Sequence, residues 1–264
     1  LNVSCDHCRK GCFCLSCLIP LASSVLGLVI GSFLNVCICR LPSAASIVGP
    51  GSSCPHCGGL LAAQDLVPVV SYVMLGGKCR YCKMPISIQY PIVELATGLL
   101  YVAVVWTYGL TLQAFSHLVF VSLIIICAGT DLNTGLILNS VTFPGVAIGI
   151  ALSFFVPGMT PLGSLLGVLV SGGVVWLMFA VTRGRGMGGG DVKFMAMVGA
   201  FLRWDRGLLT LFLGALIGSV VGVARIALGK QERREPIPFG PFLSLGAIIS
   251  MFFGARIIGL FFPW

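Results

Sequence analysis

Two carboxylates in this largely apolar chain have the residue type and placement for chemistry. Asp131 ends the apolar run LVFVSLIIICAGTD, and Asp191 follows the glycines of GRGMGGGDVKF at residues 184–194. Two carboxylates brought together share a proton, so that one can accept a proton while the other donates one. This pair of roles suits acid–base hydrolysis without a metal. In the alternative interpretation the two residues are interfacial carboxylates that cap helices or pair with Arg183, Arg185 or Lys193.

The glycines before Asp191 strengthen the first interpretation. Glycine lowers helix stability by roughly 1 kcal/mol relative to alanine, and a carboxylate near the bilayer centre costs at least ~2.5 kcal/mol. Both costs fall at one place in the sequence, which indicates a site rather than a scaffold. Because glycine allows close approach of another backbone, we expect Gly188 and Gly190 to admit a substrate backbone to Asp191.

Four cysteines form a second candidate site. They occur as two Cys-x2-Cys pairs, Cys54 with Cys57 and Cys79 with Cys82, and each pair is followed by a short turn. Two such pairs can supply the four thiolates of a tetrahedral structural zinc site. The alternative is four free or redox-active thiols. His56 lies inside the first pair and is interpreted as a neighbour rather than a fifth ligand.

The elements that must position these residues are membrane helices. The chain has 264 residues, of which 57% are hydrophobic and only 9% charged, and its mean hydropathy is +1.04. A soluble domain carries about 25% charged residues, so we predict an all-α polytopic membrane protein. Apolar runs of spanning length predict about eight transmembrane helices, near 18–39, 92–108, 113–130, 136–156, 162–182, 207–228 and 239–262, with a shorter segment at 192–202.

The distribution of positive charge predicts the orientation. With eight spans, eleven of the sixteen Lys and Arg residues fall on one side of the membrane, and the positive-inside rule makes that side cytoplasmic. Asp131, Asp191 and the loop at 40–91 then face the cytoplasm. The net charge of +8 thus reflects topology, and no nucleic-acid partner is expected.

The predicted organisation has four parts. They are a cysteine-rich segment at 1–17, a first transmembrane helix at 18–39, a cytoplasmic zinc-binding loop domain at 40–91 and a transmembrane domain at 92–264 that holds both candidate aspartates. The first segment lacks a core-forming pattern, so we expect it to be disordered, to bind metal adventitiously or to be foreign to the protein. Its cysteines are Cys5, Cys8, Cys12, Cys14 and Cys17. Glycines at helical spacing on two spans are expected to pack helices closely; they are Gly145, Gly149, Gly214, Gly218 and Gly222.

Several motifs together resemble one family, the bifunctional bacterial prepilin peptidases. GSFLNVCICRLP at 31–42 is similar to the family's first-span signature, and CPHCG, DLVPVVSY, GGKCRYCK and QYPIVELATG are similar to its zinc loop. GMGGGDVKFMAMVGAFLRW at 186–204 is similar to the GxGD segment, and PIPFGPFLSLGA at 236–247 to the last-span signature. A lone GxGD is a weak signal, but this combination is very specific.

The resemblance implies an aspartic endopeptidase of the bacterial inner membrane. Such enzymes cut the basic leader of type IV prepilins and pseudopilins after a glycine at the cytoplasmic face. They then methylate the new N-terminus with S-adenosylmethionine. Asp131 and Asp191 match the family's catalytic pair, and Cys54, Cys57, Cys79 and Cys82 match its metal ligands. The expected partners are prepilin or pseudopilin substrates and membrane lipid, and the sequence assigns no oligomeric state.

One position departs from the family pattern. Leu138-Asn139 stands where the family commonly has Pro-Asp, so Asn139 is expected to be a supporting position without charge. Lys193 either orients the carboxylate pair or extends to the membrane interface. The sequence assigns no residues to S-adenosylmethionine, and the cysteine loop is the expected support for methylation.

Two other function classes compete with this one. A proton-coupled transporter also uses membrane carboxylates in glycine-broken helices, but it would yield no cleavage product. A non-enzymatic assembly factor with a zinc module would tolerate the loss of both aspartates.

Overall fold

The structure, a computed structural model, describes residues 15–184, 187–228 and 238–261, and these residues form helices and loops. Two isolated β-bridges and no strands occur in this part of the chain, which confirms the expected all-α class. The helices in chain order are α1 (Leu15–Arg40), α2 (Val70–Met74), α3 (Gln89–Tyr108), α4 (Leu112–Thr134), α5 (Asn139–Ser153), α6 (Pro161–Thr182), α7 (Gly189–Ala227) and α8 (Gly240–Phe261).

The helices confirm a multi-pass membrane protein. Within the described ranges, six helices are long and apolar enough to cross a membrane, and α5 is a shorter apolar helix. Helix α7 has 39 residues and breaks at Arg203, whose φ of 69° and ψ of 175° are not helical. Its two halves correspond to the segments predicted at 192–202 and 207–228. Counted this way, the apolar helical segments number eight, as expected from the sequence.

The break in α7 is stabilised by a hydroxyl from a neighbouring helix. Carbonyl groups just before a helix end lack an intrahelical partner, and inside a bilayer each must find another donor. The buried hydroxyl of Ser164 in α6 donates to the carbonyl oxygen of Ala200 at 2.7 Å. Helix α6 therefore supports the point at which α7 changes direction.

Glycines let the helices that follow α4 pack closely. A Cβ at Gly149 of α5 would lie 2.9 Å from the Cβ of Ala200, and a Cβ at Gly214 of α7 would lie 2.9 Å from Leu243 of α8. A Cβ at Gly145 would likewise be too close to Met197, and a Cβ at Gly218 would be close to Phe242. The packing role predicted for the glycines is confirmed at these four positions.

The tightest approach joins α6 and α7 and leads to a stability prediction. A Cβ at Gly167 would overlap the carbonyl group of Gly199. This group belongs to the backbone, so it cannot rotate away as a side chain could. We expect Gly167→Ala to lower the free energy of unfolding by about 1–3 kcal/mol, the range for overpacked interiors. Thermal unfolding in detergent measures this. The control is Gly173→Ala on the same helix, where a Cβ meets nothing within 4 Å; equal effects of the two substitutions would contradict the prediction.

The described chain divides into two compact units. The first contains the described residues up to Phe33 together with Ser53–Leu110, and the second contains Leu34–Ser52 and the described residues from Thr111 onward. The first unit holds the cysteine pairs, and the second holds both candidate aspartates. The four-part organisation drawn from the sequence stays a prediction.

The cysteines of the first segment fall outside this description. Cys5, Cys8, Cys12 and Cys14 lie outside the described residues, and so does the side chain of Cys17.

Candidate functional site

Asp131 lies in the last turn of α4 and is buried, with 6% of its surface exposed. Its Oδ2 accepts a hydrogen bond from the backbone N–H of Gly240 at 2.8 Å. Gly240 is the first residue of α8, so the carboxylate sits at a helix N-terminus, where the backbone dipoles favour negative charge. A Cβ at Gly240 would lie only 2.8 Å from the same Oδ2, so glycine is required for this approach.

Asp191 lies in the first turn of α7 and is equally buried, with 7% exposed. Its Oδ2 accepts the backbone N–H of Gly188, the residue that caps this helix, at 2.9 Å. Each aspartate therefore accepts one backbone hydrogen bond at the start of a helix. The expectation that the carboxylates cap helices is correct as geometry, and in both cases the hydrogen bond uses Oδ2.

The structure brings the two aspartates together. Asp131 is close enough to Asp191 to act on it electrostatically, although 60 residues separate them in sequence. Ion pairs in the described part of the chain join Arg80 to Asp65 and Arg203 to Asp205, and neither includes the aspartate pair. Arg185, one of the cations considered from the sequence, lies outside the described residues. Two buried carboxylates that interact electrostatically, and that form no ion pair with a cation among the described residues, are suited to sharing a proton.

The glycines before Asp191 have separate structural roles. Gly188 supplies the N–H that holds the carboxylate. Gly190 packs against the loop after α4, because a Cβ there would lie 3.0 Å from the Cβ of Ile137. Admission of a substrate backbone by Gly188 and Gly190 stays a prediction.

Lys193 and Asn139 contact each other. The Lys193 Nζ donates to Asn139 Oδ1 at 2.7 Å and lies 5.7 Å from the ring centroid of Phe143. Asn139 begins α5 and Lys193 is in α7, so the pair ties these two helices together close to Asp191. Their roles as supporting residues stay predictions.

The cysteines occupy two turns of the same construction in the first unit. The N–H of Cys54 bonds to the carbonyl of Gly59 and that of Gly58 to the carbonyl of Cys54. Cys79, Lys83 and Met84 repeat this arrangement at the second pair. Gly58 and Lys83 occupy equivalent positions in the two turns, with φ of 70° and 60°.

The four sulfur atoms fit one metal ion. They lie within 4.8 Å of one another, and the Sγ atoms of Cys54 and Cys82 are 3.8 Å apart. Thiolates at about 2.3 Å from a tetrahedral zinc are separated by about 3.8 Å. The backbone N–H groups of Cys57 and His56 lower the pKa of the Cys54 thiol to about 6, which favours the thiolate that binds metal. The group of potential ligands within the described chain contains these four cysteines and not His56.

An ion pair braces this module. Arg80, between the two cysteines of the second pair, donates from Nε and Nη2 to Asp65 Oδ1 at 2.8 and 2.6 Å. The hydrogen bond from Arg80 holds the pKa of the Asp65 carboxyl below its usual value. This ion pair was not predicted from the sequence, because its members lie 15 residues apart.

Gly240 is the site residue that the sequence analysis missed. Its motif, PIPFGPFLSLGA, was recognised only as a signature of the last span. The available signal was a glycine between two prolines directly before an apolar run, which indicates a helix start with an accessible N–H.

The fold and the two sites define a class: multi-pass helical membrane proteins with a buried aspartate pair and a four-cysteine module. Residues 25–108 match the Bacterial Peptidase A24 N-terminal domain, and residues 118–223 match the Type IV leader peptidase family. The chain belongs to the type IV leader peptidase family, as its motifs suggested.

Three relatives illustrate the similarity, and each is named prepilin leader peptidase/N-methyltransferase. The Bacillus subtilis protein is 35% identical over 247 residues, which cover 90% of this chain and 95% of the relative. The Pseudomonas aeruginosa protein is 35% identical over 266 residues, covering 90% and 91%. The Myxococcus xanthus protein is 41% identical over 216 residues, covering 80% and 64%. No solved structure matches the chain.

Proposed function

We propose that this protein cleaves the leader peptide of prepilins or pseudopilins and methylates the new N-terminus. The names of the relatives support both activities. The observation that carries the cleavage proposal is the buried pair of Asp131 and Asp191, which lies inside the region that matches the Type IV leader peptidase family. The cut follows a glycine, as the family resemblance implies.

The pair performs hydrolysis with a shared proton. The ionised aspartate takes a proton from a water molecule, whose oxygen attacks the carbonyl carbon of the glycine before the cut. The protonated aspartate gives its proton to the carbonyl oxygen, which forms a tetrahedral diol. As the diol collapses, one of its hydroxyls gives a proton to the aspartate that is now ionised, the C–N bond breaks, and the departing nitrogen takes the proton of the other aspartate, which restores the pair. Since the two carboxyls titrate as a unit, the proton belongs to the pair and neither residue is assigned as the first base.

Backbone groups keep the pair in place during these steps. Gly240 and Gly188 each donate to one Oδ2, so each carboxylate keeps its orientation while its other oxygen exchanges protons. Lys193 and Asn139 hold α5 against α7 beside Asp191. We assign Lys193 and Asn139 to positioning rather than to proton transfer.

The second activity uses S-adenosylmethionine as the methyl donor, and we assign no residues of this chain to it. The four cysteines are proposed to hold a structural zinc ion, which the spacing of their sulfur atoms supports. The protein is proposed to reside in the bacterial inner membrane with its catalytic face and cysteine module towards the cytoplasm. The excess of Lys and Arg on that side supports this orientation.

The test is a cleavage assay in liposomes with a prepilin that carries a Gly-Phe junction. We expect mass spectrometry to find a product that begins with phenylalanine, heavier by one methyl group when S-adenosylmethionine is present. A transporter or an assembly factor would leave the substrate intact. Folded protein that cuts neither a prepilin nor a pseudopilin would overturn the proposal.

Gly240→Ala is expected to lower cleavage on the order of 10–100-fold, because displacement of reacting groups by about 1 Å costs rates of this size. The added Cβ would lie 2.8 Å from Asp131 Oδ2 and 3.1 Å from its Cγ, so the carboxylate must move. The same prepilin assay measures the effect. Gly259→Ala, in the same helix where a Cβ meets nothing within 4 Å, is the control. Full activity of the Gly240 variant would contradict the positioning role.

A further inference from the structure

The short helix α2 in the cysteine module exposes an apolar face. Val70, Val73 and Met74 share one side of this helix and are 52%, 70% and 82% exposed. Large apolar side chains grouped in this way mark a surface that contacts something other than water. If the whole module lay outside the membrane, as the sequence predicts, this apolar face would be exposed to water.

A hydrogen bond fixes the depth of this face. Glu94 Oε2 accepts the backbone N–H of Val69, the residue that precedes α2, at 2.7 Å. Glu94 is buried and lies five residues after the start of α3, a helix of spanning length. At a rise of 1.5 Å per residue this is about 7.5 Å along the helix axis. The start of α2 therefore lies beside the first turns of a membrane-spanning helix.

The backbone before α2 is held in place. Val69 has a φ of 61° and a ψ of −47°, which a β-branched residue rarely adopts. The N–H of Val70 bonds to the carbonyl of Pro68 at 2.6 Å across this residue, forming a tight three-residue turn. This turn directs the Val69 N–H to Glu94, so the depth of α2 is built into the fold of the first unit.

Positively charged residues follow the apolar helix α2 in the sequence. Lys78, Arg80 and Lys83 are exposed shortly after α2, whereas Asp65, which pairs with Arg80, is the single acidic residue in the loop at 40–91. Apolar side chains followed by cations match the bilayer interface, where acyl chains lie below anionic headgroups.

We propose that α2 lies in the bilayer interface, with Val73 and Met74 among the acyl chains and the cations after α2 at the lipid headgroups. The cysteine module is then a membrane-embedded element rather than a free soluble domain. This arrangement does not depend on leader cleavage. The apolar helix of a prepilin is the competing occupant of the same face, and charge complementarity together with the fixed depth favours lipid.

The test uses the full chain in nanodiscs of phosphatidylcholine with phosphatidylglycerol. An environment-sensitive fluorescent amino acid is placed at Met74, with controls at Leu99 on the exposed face of α3 and at the exposed Gln64 of the module. Phospholipids with a nitroxide on the acyl chain quench probes in the membrane, and iodide quenches probes in water. We expect the Met74 probe to resemble Leu99, with several-fold stronger lipid quenching than Gln64 and protection from iodide.

The other outcomes overturn the proposal. If iodide quenches the probe at Met74 as strongly as the probe at Gln64, α2 lies in water. A probe that leaves water only when a prepilin is added would make the face a substrate contact. A Val73→Asp variant carrying the same probe supports the proposal if lipid quenching falls, and opposes it if quenching is unchanged. If that variant does not fold, the measurement with the Met74 probe in the chain that keeps Val73 decides.

Discussion

Asp131→Asn and Asp191→Asn are each expected to remove leader cleavage, with a loss of at least about 10²–10⁴-fold, the usual contribution of one acid–base group. Asparagine keeps the size of the side chain, and its carbonyl oxygen can still accept the N–H of Gly240 or Gly188. The fold should therefore survive while the proton exchange is lost. The measurement is the rate of product formation from a Gly-Phe prepilin in liposomes, with thermal unfolding as the check on folding.

The matched control is Asp205→Asn, which removes a carboxylate from the same helix, α7, at a distance from the pair along the chain. Asp205 interacts with Arg203 at 3.8 Å, so its substitution should leave cleavage near the wild-type rate. If both dyad variants still cut the substrate, the pair is not catalytic, and the two carboxylates serve only as helix caps. Loss of cleavage in all three variants would indicate a structural effect rather than chemistry.

The sequence predicted those features that depend on local composition. Apolar runs of spanning length follow from the need to satisfy every backbone group inside a bilayer, so the segments agree with the helices to within a few residues. Spacing within a single helix also predicted the close packing at Gly149 and Gly214. The two Cys-x2-Cys pairs predicted a cluster because each pair forms its own turn.

Features that depend on contacts far apart in sequence were not predictable. Gly240 and Asp131 are 109 residues apart, and no pattern in one chain says which helix start meets which carboxylate. The hydrogen bond from Val69 to Glu94 spans 25 residues and links a loop to a helix. The gap between the predicted segments at 192–202 and 207–228 indicated a break in α7, but its exact position at Arg203 was not predictable, because arginine gives no signal for positive φ. Each feature arises from tertiary packing that overrides local preference.

Cys54→Ser and Cys79→Ser are expected to release zinc and unfold the cysteine module. Between residues 53 and 88 these two cysteines are the only buried apolar residues, so the module has almost no apolar core. Small domains of this kind rely on a metal or a disulfide for their stability, and structural zinc contributes about 10–16 kcal/mol in small peptides. We expect one zinc ion per wild-type chain and much less in either variant, measured by mass spectrometry of metals. In the two variants, limited proteolysis should cut the chain within residues 53–88.

Cys39→Ser is the control, because Cys39 is exposed at the end of α1 and is not a member of the cluster. It should keep the full metal content and the wild-type proteolysis pattern. If the wild-type protein contains no metal and its four cysteines form disulfides, the alternative of redox-active thiols is supported instead. Measuring cleavage and methylation separately in the Cys54 and Cys79 variants shows which activity needs the module. If both activities and the thermal unfolding are unchanged, the module supports neither activity, and the prediction that it needs the metal to fold is wrong.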